Sequence, residues 1–536
     1  MTGSGPWRLG PTEERVRLAD LLGAFSLASD LAVGLGGEHG ARSCYIGMHV
    51  ARELGLAPEQ QVHLFYSELL KDAGCTAYTS QLATMWLADE ISAKRELQFF
   101  RDAQNPFDVL PWMFRHVAAG APFTTKVARV ADFLRNGKEF MREGFESTCQ
   151  MANRIAQRLG MPTAVQDALV HVFEQWDGKG MPHGVRGQEI PLVSRIVFVT
   201  SFLEIYHSSA GREASLRLAR DRRGKSFDPS VVDAFLSTAQ SEEFWTGLED
   251  ERLWDAVLAM EPEESPHRYI TQENLTAIAL AFADYADMKS PYRAGHSRDT
   301  AEISQRIARR MALPESEVTI IHRAALMHDI GVVAVPSFVL NKPRAQLTAA
   351  EWEQFRLHPY HSERILSKVP AVTSAVPIVG AHHEQPDGRG YHRGLPGAQI
   401  PPAARIIAVA DRFAELTHNA PDHPAFEPED AIDQMRTEAG SRLAVEAFEA
   451  LAEDVVGVGQ AKKSRLNREE WPAGLTAREV EVLRLVSTGM TRREAATALF
   501  VTEGTIRSHL EHIYSKIGVS NRSAATLFAM EHGLVP

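Results

Sequence analysis

Cysteine is scarce in this sequence: Cys44, Cys75 and Cys149 are the three present, widely spaced and without a CxxC pair. A disulfide framework or a thiolate zinc site has no support, and the usage fits a reducing compartment. Strand-like alternation is almost absent, which points to a mainly α fold. No stretch approaches eighteen uninterrupted apolar residues, and the start MTGSGPWRLGPTEER has neither a basic nor an apolar leader region. A cytoplasmic protein, neither exported nor membrane-spanning, is therefore expected. Excess positive charge is missing too. The formal net charge of −12 would repel a polyanion if evenly spread, so any DNA contact must come from a locally basic surface.

What is present reads as folded protein. Hydrophobic residues make up 44% and charged residues 24%, which excludes wholesale disorder, and 536 residues exceed one hydrophobic core. Segments such as LADLLGAFSLASDLAVGL, LTAIALAFADYADM and AEISQRIARRMAL repeat apolar residues at helical spacing. An internal repeat organises the chain. WDGKGMPHGVRGQEIPLVSRIVFV from Trp176 lines up with PDGRGYHRGLPGAQIPPAARIIAV from Pro386, YSELLKDAGC from Tyr66 with RAALMHDIGV from Arg323, and EHGARS from Glu38 with GHSRDT from Gly295. Two related all-helical domains are expected at 15–260 and 270–455, then a linker at 456–470 and a last unit at 471–536.

In the second copy His296, the pair His328 and Asp329, His358, the pair His382 and His383, and Asp411 fall in or beside apolar helical segments. Polar groups there need partners. In AALMHDIG an unpaired carboxylate would be costly, and a shared cation would satisfy it together with the adjoining imidazole. Any one of these histidines alone would pass for an ordinary residue, as His322, His361 and His392 do; the ordered set on a repeated scaffold does not. Imidazole and carboxylate donors suit iron, manganese, zinc or nickel, and so many ligands exceed the need of one tetrahedral ion. Two adjacent divalent metals are expected, able to clamp a phosphodiester and activate water near neutral pH.

The segment from about Asn274 to Glu415 resembles the HD-GYP family of metal-dependent phosphodiesterases through GHSRD, MHDIG, VPSFVLNKP, LTAAEWEQFRLHP, AHHEQPDGRGY and ARIIAVADRFAELT, in order. The resemblance implies an all-helical fold that cleaves cyclic di-GMP in bacteria. It places His296, His328, Asp329, His358, His382, His383 and Asp411 at ligand positions, with His328 and Asp329 central to the chemistry and iron or manganese as the metal. Departures stand beside the matches. The family's lysine after HDIG is Val332, its GYP proline is His392, and its basic segment after the last aspartate reads Ala420-Pro421-Asp422-His423. Alanine cannot replace an arginine's bidentate phosphate fork. Metal binding is thus expected to persist more securely than cyclic di-GMP binding, while Asp387, Gly388, Gly390 and Tyr391 shape the turn beside the site.

The first copy keeps His39 and Asp72 but has Lys71 for the HD histidine, Cys149 near the third histidine region, Val172-Phe173-Glu174 for HisHisGlu and Ser201 for the last aspartate. Two ligands hold a metal poorly, and an ion pair of Lys71 with Asp72 is expected instead. A pseudo-enzyme serving as ligand sensor or dimer surface follows, with His171 outside the ligand set. The aromatic insertion AYTSQLATMWLADEISAKRELQFFRDAQNPFDVLPWMF, absent from the second copy, reads as extra core or as a cover for a small molecule or partner.

From Leu475 several short helical segments follow one another, with capping boxes at Thr476/Glu479 and Thr491/Glu494. In the segment opened by Thr502, Ile506, Leu510, Ile513 and Ile517 face a core. The other side presents Thr505, Arg507, Ser508, His509, His512 and Lys516, which with Thr502 suit phosphates and base edges in a major groove. Residues 475–530 resemble the LuxR-type helix-turn-helix through LTxRExEVL, TIRSH and IYxKIGVxxR. The resemblance implies a four-helix domain with a recognition helix over Glu503 to Lys516, a fourth helix over Ser520 to Met530, binding to double-stranded DNA and a homodimer. The leading expectation is a transcription regulator whose second HD copy senses or hydrolyses a phosphate-containing small-molecule or nucleotide ligand. An active cyclic-nucleotide phosphodiesterase with an accessory DNA-binding tail, or a di-metal redox or gas sensor, stands beside it.

Overall fold

The computed structural model describes residues 16–86, 88–97, 106–118, 121–263, 265, 268–462 and 471–535. The expected domain start at 15, residues 98–105 of the aromatic insertion, residues 463–470 of the expected linker and residue 536 lie outside these. Helices dominate, and among the described residues the one small sheet pairs Val16–Arg17 antiparallel with Tyr269–Ile270. No helix among them is long and apolar enough to cross a membrane.

The two copies use the same succession of helices. Leu18–Val33 and Gln272–Asp287 carry Phe25 and Asp30 at the places of Phe282 and Asp287; His39–Glu53 and His296–Arg310 each begin on the shared histidine. Pro58–Leu70 and Glu315–Met327 end just before Lys71 and His328, and Leu192–Ala210 and Pro402–Thr417 follow the repeated turn. The copies do not bury separate cores. One continuous apolar cluster runs from Leu18 and Phe65 through Phe282 and Met327 to Leu451. Across the join, the Phe25 ring centroid lies 5.1 Å from that of Phe282 and 4.6 Å from that of Tyr285. The insertion adds a small core of its own, where Trp86 and Trp112 meet edge to face at 5.2 Å beside Met113 and Val130.

The helix Val445–Lys462 continues past residue 456, so the unit before the expected linker extends further than its sequence suggested. Beyond it, Ala477–Ser487, Arg492–Ala498, Glu503–Ile517 and Arg522–Glu531 surround Val480, Leu483, Ile506, Ile513 and Phe528. Both expected capping boxes form: Thr476 N donates to Glu479 Oε2 at 2.7 Å and Thr491 N to Glu494 Oε2 at 2.7 Å. Thr502 accepts from Thr505 N at 3.1 Å, and Gly518, at φ 67°, ends that helix in the left-handed conformation glycine adopts freely.

Candidate metal centre and DNA-reading face

Three histidines of the second copy are aimed by backbone. His328 Nδ1 donates to the Ala325 carbonyl at 2.6 Å, His358 Nδ1 to that of Phe355 at 2.7 Å and His382 Nδ1 to that of Val379 at 2.6 Å. A carbonyl only accepts, so each Nδ1 carries the proton and each Nε2 turns a lone pair inward.

Those lone pairs converge. His358 Nε2 and His382 Nε2 are 3.3 Å apart and lie 3.2 Å and 3.6 Å from Asp329 Oδ1. On the other side of the same carboxylate, His328 Nε2 is 3.0 Å and His296 Nε2 3.6 Å from Oδ2. Asp411 Oδ1 lies 2.8 Å from His296 Nε2 and 3.6 Å from His328 Nε2, and its Oδ2 lies 3.9 Å from His383 Nδ1. The donors form two groups, His358 with His382 and His383, and His296 with His328, Asp329 and Asp411, the ligand atoms of each within 4.8 Å of one another. Asp329 has one oxygen toward each group.

Burial holds His296 and His328 down to about 4 and His358, His382 and His383 below the usual imidazole range. Burial pushes Asp411 up, yet its close polar contacts with His296 and His328 leave it well below the usual carboxylate range. Neutral imidazole beside ionised carboxylate is the protonation state a metal needs. His296 Nε2, His328 Nε2 and Asp329 Oδ1 are buried without a hydrogen-bond partner. Inward lone pairs and carboxylate oxygens repel one another unless a cation lies among them, so this donor set fits divalent metal.

At the other end of the chain, Thr502, Arg507, Ser508, His512 and Lys516 are exposed, and Thr505 and His509 half-buried. Not all are equally available. Lys516 Nζ is 2.7 Å from Glu479 Oε2 and 3.0 Å from the Gly474 carbonyl, so its charge is turned back into the module. Thr502 and Thr505 hydroxyls bond each other at 2.8 Å. Arg507, 70% exposed and resting on Glu511 at 3.0 Å, is the freest cation of the face.

The HD domain family matches residues 129–231 and 281–445, which together span half of the chain and bracket every side chain of the metal-donor groups. The chain belongs to the HD domain family. Residues 473–529 match the bacterial regulatory proteins of the luxR family. The chain is 30% identical over 434 residues to the 3'3'-cGAMP-specific phosphodiesterase 3 of Vibrio cholerae, covering 81% of this chain and 94% of that one. It is 35% identical over 191 residues to a cyclic di-GMP phosphodiesterase of Thermotoga maritima, covering 35% and 51%. A crystal structure of a cyclic GMP-AMP specific phosphodiesterase of V. cholerae matches with a TM-score of 0.58 at 27% identity, over 83% of this chain and 98% of that one. These relatives bear out the leaning toward an HD-type phosphohydrolase.

The HD scaffold here carries cations that its sequence did not single out. Val332 is fully buried and offers no charge, but the Arg293 guanidinium lies directly against Asp329 Oδ2. Cavities of about 330 Å³ and 490 Å³ flank the donor groups. The loop Ala420–His423 lines the smaller one beside Arg293 and Lys342; Arg356 and Trp352 line the larger, and Arg344 and Arg412 border both. Arginines following a Pro in NKPRAQ and the last Asp in ADRF were the available signal. Glu384, beside the paired histidines, serves the turn: it accepts from Arg393 N at 2.7 Å and Leu395 N at 2.8 Å, as Glu174 accepts from His183 N at 2.7 Å in the first copy.

The first HD copy differs from expectation in its pairing. Lys71 Nζ lies 2.9 Å from Ser43 Oγ and 3.4 Å from Glu68 Oε2, so the ion pair forms with Glu68 rather than with Asp72. Residues three apart on a helix face each other and adjacent ones do not. His39 pairs through Nδ1 with Glu204, three residues beyond Ser201, and stands 4.0 Å from Asp72. His171 turns to the Asp167 carbonyl at 2.8 Å. Among the described residues the first copy gathers no three metal-donor side chains.

Proposed function

We propose that this HD-family chain is a metal-dependent phosphodiesterase acting on a cyclic dinucleotide of the 3'3'-cGAMP class, joined to a module that binds double-stranded DNA. The observation that carries the reading is Asp329, whose two oxygens face separate groups of inward-turned imidazoles. The extent of the match to the V. cholerae 3'3'-cGAMP-specific phosphodiesterase 3 supports the substrate class. In this reading 270–455 is the catalytic domain, 15–260 a degenerate partner, and 471–536 the DNA-binding module of a cytoplasmic, homodimeric regulator.

His296, His328, Asp329, His358, His382, His383 and Asp411 would hold two ions, iron or manganese. Such ions supply Lewis acidity toward a phosphodiester. The chain's own contribution is to fix the imidazole tautomers, keep the rings neutral by burial and exclude water from around Asp329. Arg344 and Arg412, bordering both cavities, offer the phosphate charge that Val332 and Ala420 do not. Trp352 and Tyr391, in the wall of the larger cavity, offer faces to a nucleobase. Thr502, Thr505, Arg507, Ser508, His509 and His512 form the DNA face, with Lys516 a supporting residue behind it.

The test is metal analysis of anaerobically purified protein together with incubation against 3'3'-cGAMP, cyclic di-GMP and a generic phosphodiester, beside Asp329→Ala. Bound iron or manganese with Asp329-dependent cleavage of 3'3'-cGAMP is expected. Bound metal with no cleavage of any of the three would overturn the enzyme reading in favour of a sensor whose ligand acts through DNA binding.

A further inference from the structure

The luxR-type module does not stand clear of the HD region. Its last helix, Arg522–Glu531, lies against the long helix Phe123–Arg158. Ser523 Oγ donates to the Ala77 carbonyl at 2.6 Å, Asn521 Nδ2 to Gln150 Oε1 at 2.8 Å, and Gln150 Nε2 to Ser520 Oγ at 2.6 Å. Leu527 is part of the HD core rather than of the module's own. Arg158 joins Glu531 of the module to Asp284 of the second copy. Asp284 is gripped from its other side by Arg298, at 2.8 Å through each of two nitrogens. Arg298 is two residues past His296 on one helix.

The module also touches the turn that carries Arg293. A Cβ placed on Gly489 would fall 2.9 Å from Pro291, and one placed on Gly295 would fall 3.0 Å from Val535. Pro291 opens the single 3₁₀ turn Pro291–Arg293, and Gly295 immediately precedes His296. The seven residues 290–296 are thus held at one end by the module and at the other by the donor groups. Arg293 rests on the Asp329 oxygen that faces His328. The junction is incompletely filled: a cavity of about 610 Å³ lies between Tyr292, Arg129, Thr491, Arg522 and Thr526. Unlike a close-packed core, such a contact can open without a large loss of dispersion energy.

We infer that metal at the Asp329 centre and docking of the DNA-reading module oppose one another through the Pro291–Arg293 turn. The inference rests on the proposed metal centre. Arg293 and a cation compete for one carboxylate oxygen, and moving Arg293 shifts the turn on which Gly489 sits. Metal therefore loosens the docked module, and undocking the module raises metal affinity, because coupling between two sites is reciprocal.

The experiment uses the full chain with Mn(II) as probe, comparing wild type with Ser523→Arg and Glu531→Gln, two independent ways of weakening the docked face. Circular dichroism first confirms that each variant is folded. Hydrogen exchange over residues 520–535 should quicken when wild type is saturated with Mn(II), and should be quick in the variants without it. Mn(II) should bind both variants at least about fivefold more tightly, the lower end of ordinary allosteric coupling. Equal Mn(II) affinity in all three proteins, or exchange at 520–535 that Mn(II) does not move, overturns the inference. Failure to cleave 3'3'-cGAMP with this linkage intact removes the proposed substrate and leaves the coupling standing; absence of Mn(II) binding in wild type overturns both.

Discussion

Lys71 and His328 stand at the same place in the two HD copies, each directly following the last turn of a corresponding helix, Pro58–Leu70 and Glu315–Met327. His328 turns a lone pair toward two carboxylates, whereas Lys71 brings a fixed positive charge to Glu68, which is fully buried and also receives the Ser43 and Thr200 hydroxyls at 2.6 Å each. The first copy thus answers with an ammonium a need that the second would meet, in the proposed centre, with a metal. Removing one member of a buried pair costs about 3–5 kcal/mol, because the other is left uncompensated. Lys71→Met is expected to lower unfolding stability by about that amount in a denaturant titration, and Lys71→Met with Glu68→Gln to recover much of it. Two losses that simply add would show that the residues are not energetically paired.

The division of donors around Asp329 makes the metal content of variants informative. His358→Ala removes a member of one group and leaves the His296, His328 and Asp411 set intact, so about one ion per chain should survive where the proposed centre of the wild type would hold about two. Asp329→Ala removes an oxygen from each group and should lose both. Elemental analysis after exhaustive dialysis reads the difference directly. Equal retention by the two variants would argue against Asp329 as the shared ligand.

Acid should weaken the metal-stripped protein. His296 and His328 sit at about 4 when folded, against 6.5 for a free imidazole, so between those values the unfolded chain binds protons that the folded one refuses. His358, His382 and His383 are shifted in the same direction by burial. Asp30 and Asp287, raised by burial from 3.8 to about 7, oppose this by holding protons only when folded. The imidazoles outnumber the two acids, so net proton uptake accompanies unfolding and stability falls with falling pH. The melting temperature should drop steadily from pH 6.5 to 4.5. A rise over that interval would mean the rings are not held neutral.

Much of the centre was readable because its donors stand in a fixed order along a helical scaffold that the first copy repeats; His296, His328 and His358 sit at helix ends and Asp411 within Pro402–Thr417. His328, Asp329, His358 and His382 meet because those ends meet. What escaped the sequence depends on side chains far apart in it. Lys71 finds Glu68 rather than Asp72 through helix geometry, Glu204 reaches His39 from 165 positions away, and Arg293 is aimed at Asp329 by a short 3₁₀ turn with no periodic signature. Docking of Arg522–Glu531 on Phe123–Arg158 was equally invisible, since the apolar pattern of that last helix reads the same whether it packs on its own module or also on a neighbour. Val445–Lys462 runs on through Gly457 and Gly459, the glycines that marked the start of the expected linker.

The DNA-reading face separates two arginine-and-lysine roles that the sequence presented as one. Arg507 is held only by an exposed pair with Glu511, an interaction worth little in water, so its guanidinium is free to move to a phosphate or base edge. Lys516 is committed to Glu479, the same carboxylate that closes the capping box with Thr476 and that is held down to about 2, against the upward push of burial, by bonds to Lys516 and Thr476. On a duplex selected by this protein from a random pool, Arg507→Ala should weaken binding and lower the slope of log affinity against log salt by about one, the signature of a lost phosphate contact. Lys516→Ala should instead lower the melting temperature of the module while leaving the salt slope near its wild-type value, because the charge it removes faces inward. A salt slope reduced by Lys516→Ala and untouched by Arg507→Ala would reverse the assignment and place the DNA backbone nearer the C-terminal end of Glu503–Ile517.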